Sequence, residues 1–477
     1  MNMTVGSVLE NSRDTLCCLA RLFDRLNASQ QTDELSSLIH SEFSKQIDFG
    51  LFNANNLVRE HVFFVWLGSI SITQLEYFDY WRKSNPVRTV VFYFDSQALL
   101  AHKINSLLSR LNAIEDCNHE LMIKRQNAFY LAFDASNYDS LDEWLINYAS
   151  RYDKAEAEGL SLELAKSRET YAHYLEQGIC RDIHSIDGLM NFKGKDLTKY
   201  YFYELILRNN LASASDILRL MILYKIGGTY LDFDTLPCIE HCFRNTNEHH
   251  KKQVDFNLVD IVKAEMVLSR VRSLHVLDFN QRDDRLSNIL SGCVGIDSTL
   301  TNSLFRDVDE LDDRAIFKPL EDQYVFKHGL KLSKSKRGLG EYNNNALVAH
   351  AGSKTVSIII RQMLKRYAYI EKMGAIFSGD IVSKGDDEYW SRLIDYRNDA
   401  LCSMRNVTLF LTGPSLILET ILSLSYELLD IDDVSSFTVS TLMQIPALGM
   451  SFTEQTQFTS EHMRSTWQSN DNLFTAM

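Results

Sequence analysis

The sequence predicts an α/β fold: a Rossmann-like parallel sheet with extensive helical insertions, preceded by an N-terminal helical segment. Three observations predict it. First, His61-Val62-Phe63-Phe64-Val65-Trp66 and Thr89-Val90-Val91-Phe92-Tyr93-Phe94-Asp95 are continuous runs of β-branched and aromatic residues, the pattern of strands buried on both faces. Second, a helical pattern over 72–83 separates them, and strand–helix–strand order marks a parallel sheet. Third, only five of 477 residues are proline, against an ordinary ~5%, so little in the chain interrupts helices.

The elements follow in order. Leu16, Leu19, Phe23 and Leu26 form one apolar stripe at helical spacing, and 37–47 reads as a second helix. Residues 1–58 are therefore assigned to a helical segment and 59–477 to the main domain. Residues 97–210 are mostly helical in pattern. Residues 212–226 read as one helix, stopped by Gly227-Gly228, and 229–233 as a short strand. Residues 245–320 read as short strands and loops, and 353–372 and 415–430 as helices. The helical insertions thus span about 97–210 and 353–430.

Composition narrows the class. The chain is 45% hydrophobic, too apolar for a disordered protein. Its net charge of -14 argues against general nucleic-acid binding. The N-terminus lacks a basic flank followed by an apolar core, so no secretory signal is expected. No uninterrupted apolar run reaches the ~18 residues of a spanning helix; the best, near 217–223, contains Arg219. The eight cysteines are scattered, as in a reduced compartment.

The stretch from Leu211 to Pro237 carries the chemistry. On a strand, Asp232 and Asp234 share one face and Phe233 takes the other. Carboxylates ~7 Å apart repel unless a cation sits between them, and hard oxygen ligands suit Mn²⁺ or Mg²⁺. Such an ion also neutralises a diphosphate leaving group. Gly227 and Gly228 are expected to let a ligand approach the backbone. Asp216 and Arg219 stand one helical turn apart and share a face, suited to accept from and donate to sugar hydroxyls. The plain alternative is an intrahelical ion pair beside a solvated acidic strand end. Ser213 or Ser215 is expected to cap that helix.

These residues resemble the sugar-nucleotide site of A-type glycosyltransferases, above all the glucosylating domain of the large clostridial cytotoxins and related bacterial effectors. Phe64-Val65-Trp66-Leu67-Gly68 is similar to that family's first strand and Phe92-Tyr93-Phe94-Asp95-Ser96 to its second. Ala214-Ser215-Asp216-Ile217-Leu218-Arg219 and Gly-Gly-x-Tyr-x-Asp-x-Asp-x-Leu-Pro are very similar to the family's segments. Asn344-Asn345-Ala346-Leu347, Thr412-Gly413-Pro414 and Ser465-Thr466-Trp467 resemble three more.

The resemblance implies roles for each residue. Trp66 stacks on uracil, and Ser215 and Tyr230 lie against the nucleotide. Asp216, Arg219 and Asn344 hold the hexose. Asp232 contacts ribose and sugar, and Asp234 ligates Mn²⁺. Ser465 helps bind metal and diphosphate, and Trp467 bonds the leaving group. It further implies a retaining transfer of a hexose from a UDP-sugar to a hydroxyl of a host protein, foremost a Rho/Ras-type small GTPase. The protein would then be a secreted or translocated effector acting in the host cytosol. Alternatives are a glycan, glycolipid or other host protein as acceptor, or an inactive sugar-nucleotide-binding module.

Three positions depart from the family pattern. Its glutamate three residues before the Ser-x-Trp serine is His462 here, with Glu461 adjacent; imidazole ligation would change the metal's pH dependence. Asn343 and Asn345 match neither the Ile/Gln pair associated with glucose donors nor the small pair associated with N-acetylglucosamine, which leaves both sugars open. Gln97 stands where an asparagine follows Asp-Ser.

Other signals have plainer readings. Cys238, His241 and Cys242, with His249 and His250 nearby, have spacing atypical of zinc and read as loop packing. The basic cluster at 331–337 reads as a solvated loop, and Asp386-Asp387-Glu388 as a helix start. By resemblance, residues 1–58 would help membrane localisation, but their acidic balance opposes attraction to anionic lipid.

Overall fold

A computed structural model describes residues 55–58, 60–71, 74–111, 118–249, 256–273, 298–312, 315–334, 342–379, 388–399, 401, 406–429, 450–454 and 458–459. The two apolar runs become strands β1 (His61–Val65) and β2 (Thr89–Phe94). Helix α1 (Glu76–Ser84) joins them and packs on the sheet through aromatic edges. The Phe78 ring centroid lies 5.3 Å from that of Phe64 and 5.2 Å from that of Phe92, both edge-to-face.

Five more strands complete a seven-stranded sheet: β3 (Cys180–Asp182), β4 (Gly227–Leu231), β5 (Leu330–Lys334), β6 (Tyr342–His350) and β7 (Met450–Glu454). Their order is β7-β5-β6-β4-β1-β2-β3. Strands β1 to β4 are mutually parallel, as are β5 and β7, and β6 runs antiparallel to both its neighbours. The chain steps outward from β1 through β2 to β3, then returns on the other side of β1 as β4. Strand order therefore reverses between β1 and β4, and the carboxyl ends at such a reversal frame a ligand crevice.

Between β2 and β3 lie helices α2 (His119–Asp134), α3 (Leu141–Ser150) and α4 (Lys154–Glu176), N-capped by the side chains of Asn118, Ser140 and Asp153. The Tyr171 ring of α4 stacks on Phe94 at 4.1 Å, and its hydroxyl donates to the Gly68 carbonyl at 2.7 Å. Helix α5 (Leu211–Lys225) leads into β4. Its cap is Asn210, whose side chain accepts from the Ser213 amide at 3.1 Å, and not Ser213 or Ser215. Both serines lie inside the helix, and Asn209 ahead of the cap takes the left-handed φ of 48°.

Two stretches differ from the sequence reading. Most of the described part of 245–320 is helical, with α6 (Phe256–Ser273) and α7 (Ser298–Asp309) building a second core on Tyr77 and Tyr80 of α1, while 310–312 and 315–320 are turn and loop. Periodicity failed there because α6 is buried almost all round: Val262, Ala264, Met266, Val267 and Leu268 are enclosed, and so are Lys263 and Glu265. Of residues 1–58, Asn55–Leu57 form a strand paired antiparallel with Tyr324–Phe326 instead of a helix end. Residues 1–54 lie outside the described residues. Downstream, α8 (Lys354–Lys372) and α9 (Pro414–Leu429) form as expected.

The glycine pair also has a different purpose. Gly227 and Gly228 are the first residues of β4, at the end of the strand opposite Asp232. Their φ angles are +72° and +119°, a region that L side chains rarely adopt. A Cβ on Gly228 would lie 2.5 Å from the His61 carbonyl oxygen, and one on Gly227 2.5 Å from the Ala351 amide nitrogen. The glycines thus admit neighbouring backbone and not a ligand. Gly228→Ala is expected to destabilise the fold by about 3 kcal/mol or more, combining backbone strain with overpacking, read as a lower urea midpoint with unchanged slope.

Past β2, Asp95 ties the sheet edge together. Its carboxylate, 3% exposed, bonds His184 Nε2 at 2.9 Å and the Tyr201 hydroxyl at 2.8 Å. The hydrogen bond to Asp95 raises the His184 pKa above its ordinary value, with Asp95 and Asp182 charge adding to it against desolvation. A raised histidine pKa stabilises the fold at low pH, and that contribution disappears as pH rises through the folded-state value. His184→Ala is therefore expected to lower the melting temperature more at pH 5.5 than at pH 8.5.

Candidate active site

Trp66 directly follows β1 and Asp232 directly follows β4, so both sit at the strand reversal. Asp232 and Asp234 do not lie on the strand. Beyond Leu231 the chain turns, with the Thr235 amide donating to the Asp232 carbonyl at 3.0 Å. Phe233 anchors the turn. It is 6% exposed, and its ring centroid lies 5.3 Å from Phe64, 5.1 Å from Trp66 and 5.6 Å from Phe92. Trp81 donates its indole N–H to the Thr235 carbonyl at 2.7 Å, and the Asp232 amide donates to the Asn345 carbonyl at 2.9 Å. The apolar residue between two aspartates is therefore the nail that holds both carboxylates at the crevice. Trp66 is half-buried, with its indole N–H donated to the Ser69 carbonyl at 3.0 Å.

Arg219 organises the polar side. It is 4% exposed and ion-paired with the buried Asp216 one turn earlier on α5. Its Nη1 also donates to Asp232 Oδ1 at 3.2 Å and to the Asn344 carbonyl at 3.2 Å. The guanidinium stands 5.1 Å from the Tyr230 ring centroid, within cation–π range. Tyr230 donates its hydroxyl to Asp232 Oδ1 at 2.5 Å and hydrogen-bonds Ser215. The salt-bridge reading of Asp216 and Arg219 is thus correct, yet the pair is not a solvated surface feature.

Charge does not balance in this cluster. One guanidinium faces Asp216, Asp232 and Asp234, and among the described residues no lysine or arginine ion-pairs with Asp234. Burial first, then the Asp232 charge, pushes the Asp234 carboxyl up to about 7. Burial also raises Asp232, against the opposing pull of Arg219. Two crowded hard-oxygen ligands short of positive charge are a donor set suited to a divalent cation.

Of the residues expected at the site, Ser215, Asp216, Arg219, Tyr230, Asp232 and the Asn344 backbone form one network, with Asp234 and Trp66 beside it. Ser465, Trp467, His462 and Glu461 lie outside the described residues. No group of three His, Cys, Asp or Glu able to hold a metal occurs among the described residues. Sequence reading missed the roles of Phe233, Asn345 and Thr412. Asn345 is buried and accepts from the Ser333 hydroxyl at 2.5 Å; Thr412 donates its hydroxyl to Asp216 Oδ2 at 2.8 Å. The adjacency of Asn345 to Asn344, and of Thr412 to Gly413-Pro414, was the only signal available.

The side signals resolve simply. Cys242 Sγ bonds the Ile316 carbonyl at 3.4 Å and burial pushes its thiol up to about 12, while His241 bonds the Ala315 carbonyl at 2.8 Å. These are packing contacts. Lys331 belongs to β5 and not to a loop, with its ammonium donating to Gln323 at 3.1 Å.

Removing the guanidinium leaves the buried Asp216 carboxylate and the half-buried Asp232 carboxylate uncompensated. Arg219→Ala is expected to cost about 3–5 kcal/mol of stability. Adding Asp216→Asn should recover part of that loss in a double-mutant cycle followed by urea unfolding.

The model of the TcdA/TcdB catalytic glycosyltransferase domain matches residues 60–410. Cytotoxin-L of Paraclostridium sordellii is 25% identical over 376 residues, covering 74% of this chain and 15% of that protein. Toxin B of Clostridioides difficile is 24% identical over 464 residues, covering 87% of this chain and 18% of that protein. The chain thus spans under a fifth of the length of these relatives. The solved catalytic domain of alpha-toxin from Clostridium novyi superposes with a TM-score of 0.68 at 18% identity, over 99% of this chain and 92% of that one. The UDP-bound glycosyltransferase domain of the YGT toxin gives 0.59 at 18% identity, over 78% of each chain. These likenesses show the A-type glycosyltransferase fold, and with the match over 60–410 the chain belongs to the TcdA/TcdB catalytic glycosyltransferase domain family.

Proposed function

We propose that this chain is a toxin-type glycosyltransferase that moves a hexose, glucose or N-acetylglucosamine, from a UDP-sugar to a hydroxyl of a host protein. The observation that carries the reading is the cluster of three carboxylates and one guanidinium at the β1/β4 strand reversal, with Trp66 beside it. Family membership supports the reaction class, and a YGT toxin domain of the same fold is UDP-bound. The acceptor we favour is a small GTPase of the Rho/Ras type, and the place of action is the host cytosol. Both rest on the resemblance to the clostridial toxins.

The roles follow the chemistry of each group. Trp66 offers a flat, half-buried face for the uracil. Asp216 and Arg219 present an acceptor and donors to hexose hydroxyls. Asp232, with one oxygen engaged by Arg219 and Tyr230, keeps the other for ribose and sugar. Asp234, with Ser465 and either His462 or Glu461, makes the hard-ligand set for Mn²⁺ or Mg²⁺. A divalent ion bound there neutralises the diphosphate as it departs. Asn344 contacts the sugar, and Trp467 donates to the leaving oxygen. Among the described residues no side chain stands out as a dedicated nucleophile, because Asp216 and Asp232 are held by Arg219 and Asp234 is assigned to the metal. The favoured course is therefore a same-face substitution through an oxocarbenium-like transition state, with retention.

The test uses purified protein, Mn²⁺ and a panel of UDP-hexoses, with UDP release as readout. At least one donor should be cleaved, and chelation should abolish cleavage. Asp234→Asn is expected to lower kcat by about 10²–10³-fold, the usual cost of losing a transition-state charge contact. It should also raise the melting temperature of the metal-free protein, by relieving the carboxylate crowding. No cleavage and no stabilisation by any UDP-sugar would overturn the assignment.

A further inference from the structure

Asp216 is gripped from two directions. Arg219, on the same helix, pairs with Oδ1, while Thr412 donates to Oδ2 at 2.8 Å from an element 196 positions away. An ion pair to one oxygen leaves the carboxylate free to rotate about its last torsion, which is broad for aspartate. A second hydrogen bond to the other oxygen fixes its plane.

Thr412 is itself firmly held. It ends the short helix Asn406–Leu411, and its amide and that of Gly413 donate to the Thr408 carbonyl at 3.3 and 3.0 Å. A Cβ on Gly413 would meet the Thr408 carbonyl oxygen at 3.0 Å, so the turn closes tightly on glycine. One turn earlier, the Thr408 hydroxyl donates to Asp399 at 2.5 Å and accepts from Arg208 at 2.6 Å and from Asn210 at 2.8 Å. Arg208 is fully buried between Glu204 and Asp399. Thr408 and Thr412 therefore dock on α5 at two points: Asn210, its cap, and Asp216, its functional acid. The buried ions make the docking rigid, because neither Arg208 nor its acids can leave without stranding the others.

We propose that Thr412 is a positioning residue for the transfer reaction, orienting the Asp216 carboxylate toward the donor hexose. The inference rests on the glycosyltransferase reading and extends it from the site to the segment that sets its geometry. Thr412 touches neither donor nor metal; it acts through Asp216. Its loss should therefore appear in the handling of the sugar and not in the affinity for the nucleotide.

The test compares wild type, Thr412→Val and Thr412→Ser by UDP-hexose cleavage, by titration with UDP and Mn²⁺ alone, and by thermal unfolding. Thr412→Val keeps the shape and removes the hydroxyl; Thr412→Ala replaces it should that variant not fold. Expected are a loss in kcat of tenfold or more and UDP affinity within twofold of wild type. Thr412→Ser should restore kcat to within threefold. Three results would overturn the proposal: wild-type turnover in Thr412→Val, parallel loss of UDP affinity and kcat, or failure of Thr412→Ser to rescue. A wild-type chain that cleaves no UDP-hexose overturns the glycosyltransferase reading and this one together. An active wild type with an equally active Thr412→Val overturns this one alone.

Discussion

The site depends on the buried Arg219 guanidinium. Among the described residues it alone offsets the carboxylates gathered where β4 ends, and it reaches Asp216, Asp232, Tyr230 and the Asn344 backbone from one position. Arginine suits this task because its fixed fork of donors serves several acceptors without losing its charge on burial. A lysine would concentrate the charge on one nitrogen and leave acceptors unsatisfied. The cluster remains short of positive charge among the described residues, and burial first, then the Asp232 charge, gives Asp234 its raised pKa.

The fold delivers the residues to Arg219 through packing. Phe233 is driven into the aromatic core formed by Phe64, Phe78 and Phe92, and the turn follows it. Strand β6 lies antiparallel against β4, with Ala346 opposite Leu231, and so brings Asn344 and Asn345 alongside the aspartates. Helix α5 carries its acid and base on the turn that faces the strand end. At the far end of β4, the two glycines let that strand lie close against β1 and β6. Their place in the sequence, four and five residues before Asp232, suggested a ligand; their place in the sheet is structural.

The strands and helices flanking the site were legible because their signals are local. Continuous apolar runs mark buried parallel strands, and a three-residue spacing on a helix places an acid beside a base. Legibility ended where burial erased the pattern, as along α6, whose apolar residues face every direction. It ended too where serine was preferred on propensity as a cap: Asn210, just upstream, took the position because its side chain also reaches Thr408.

By itself, the sequence determined that Asp216 and Arg219 share one face of a helix, that Asp232 and Asp234 flank one apolar residue, and that a buried strand runs up to Trp66 and another up to the aspartates, which the structure places just past the strand ends. Each follows from backbone periods of two or 3.6 residues, which need no knowledge of the rest of the chain. Only the tertiary structure decided that Arg219 would also hold Asp232, that Asn345 would accept the Asp232 amide, and that Thr412 would grip Asp216. These contacts join residues 13, 113 and 196 positions apart, and no local period specifies them. Sheet order, the burial of Phe233 and the ionic core around Arg208 select them together.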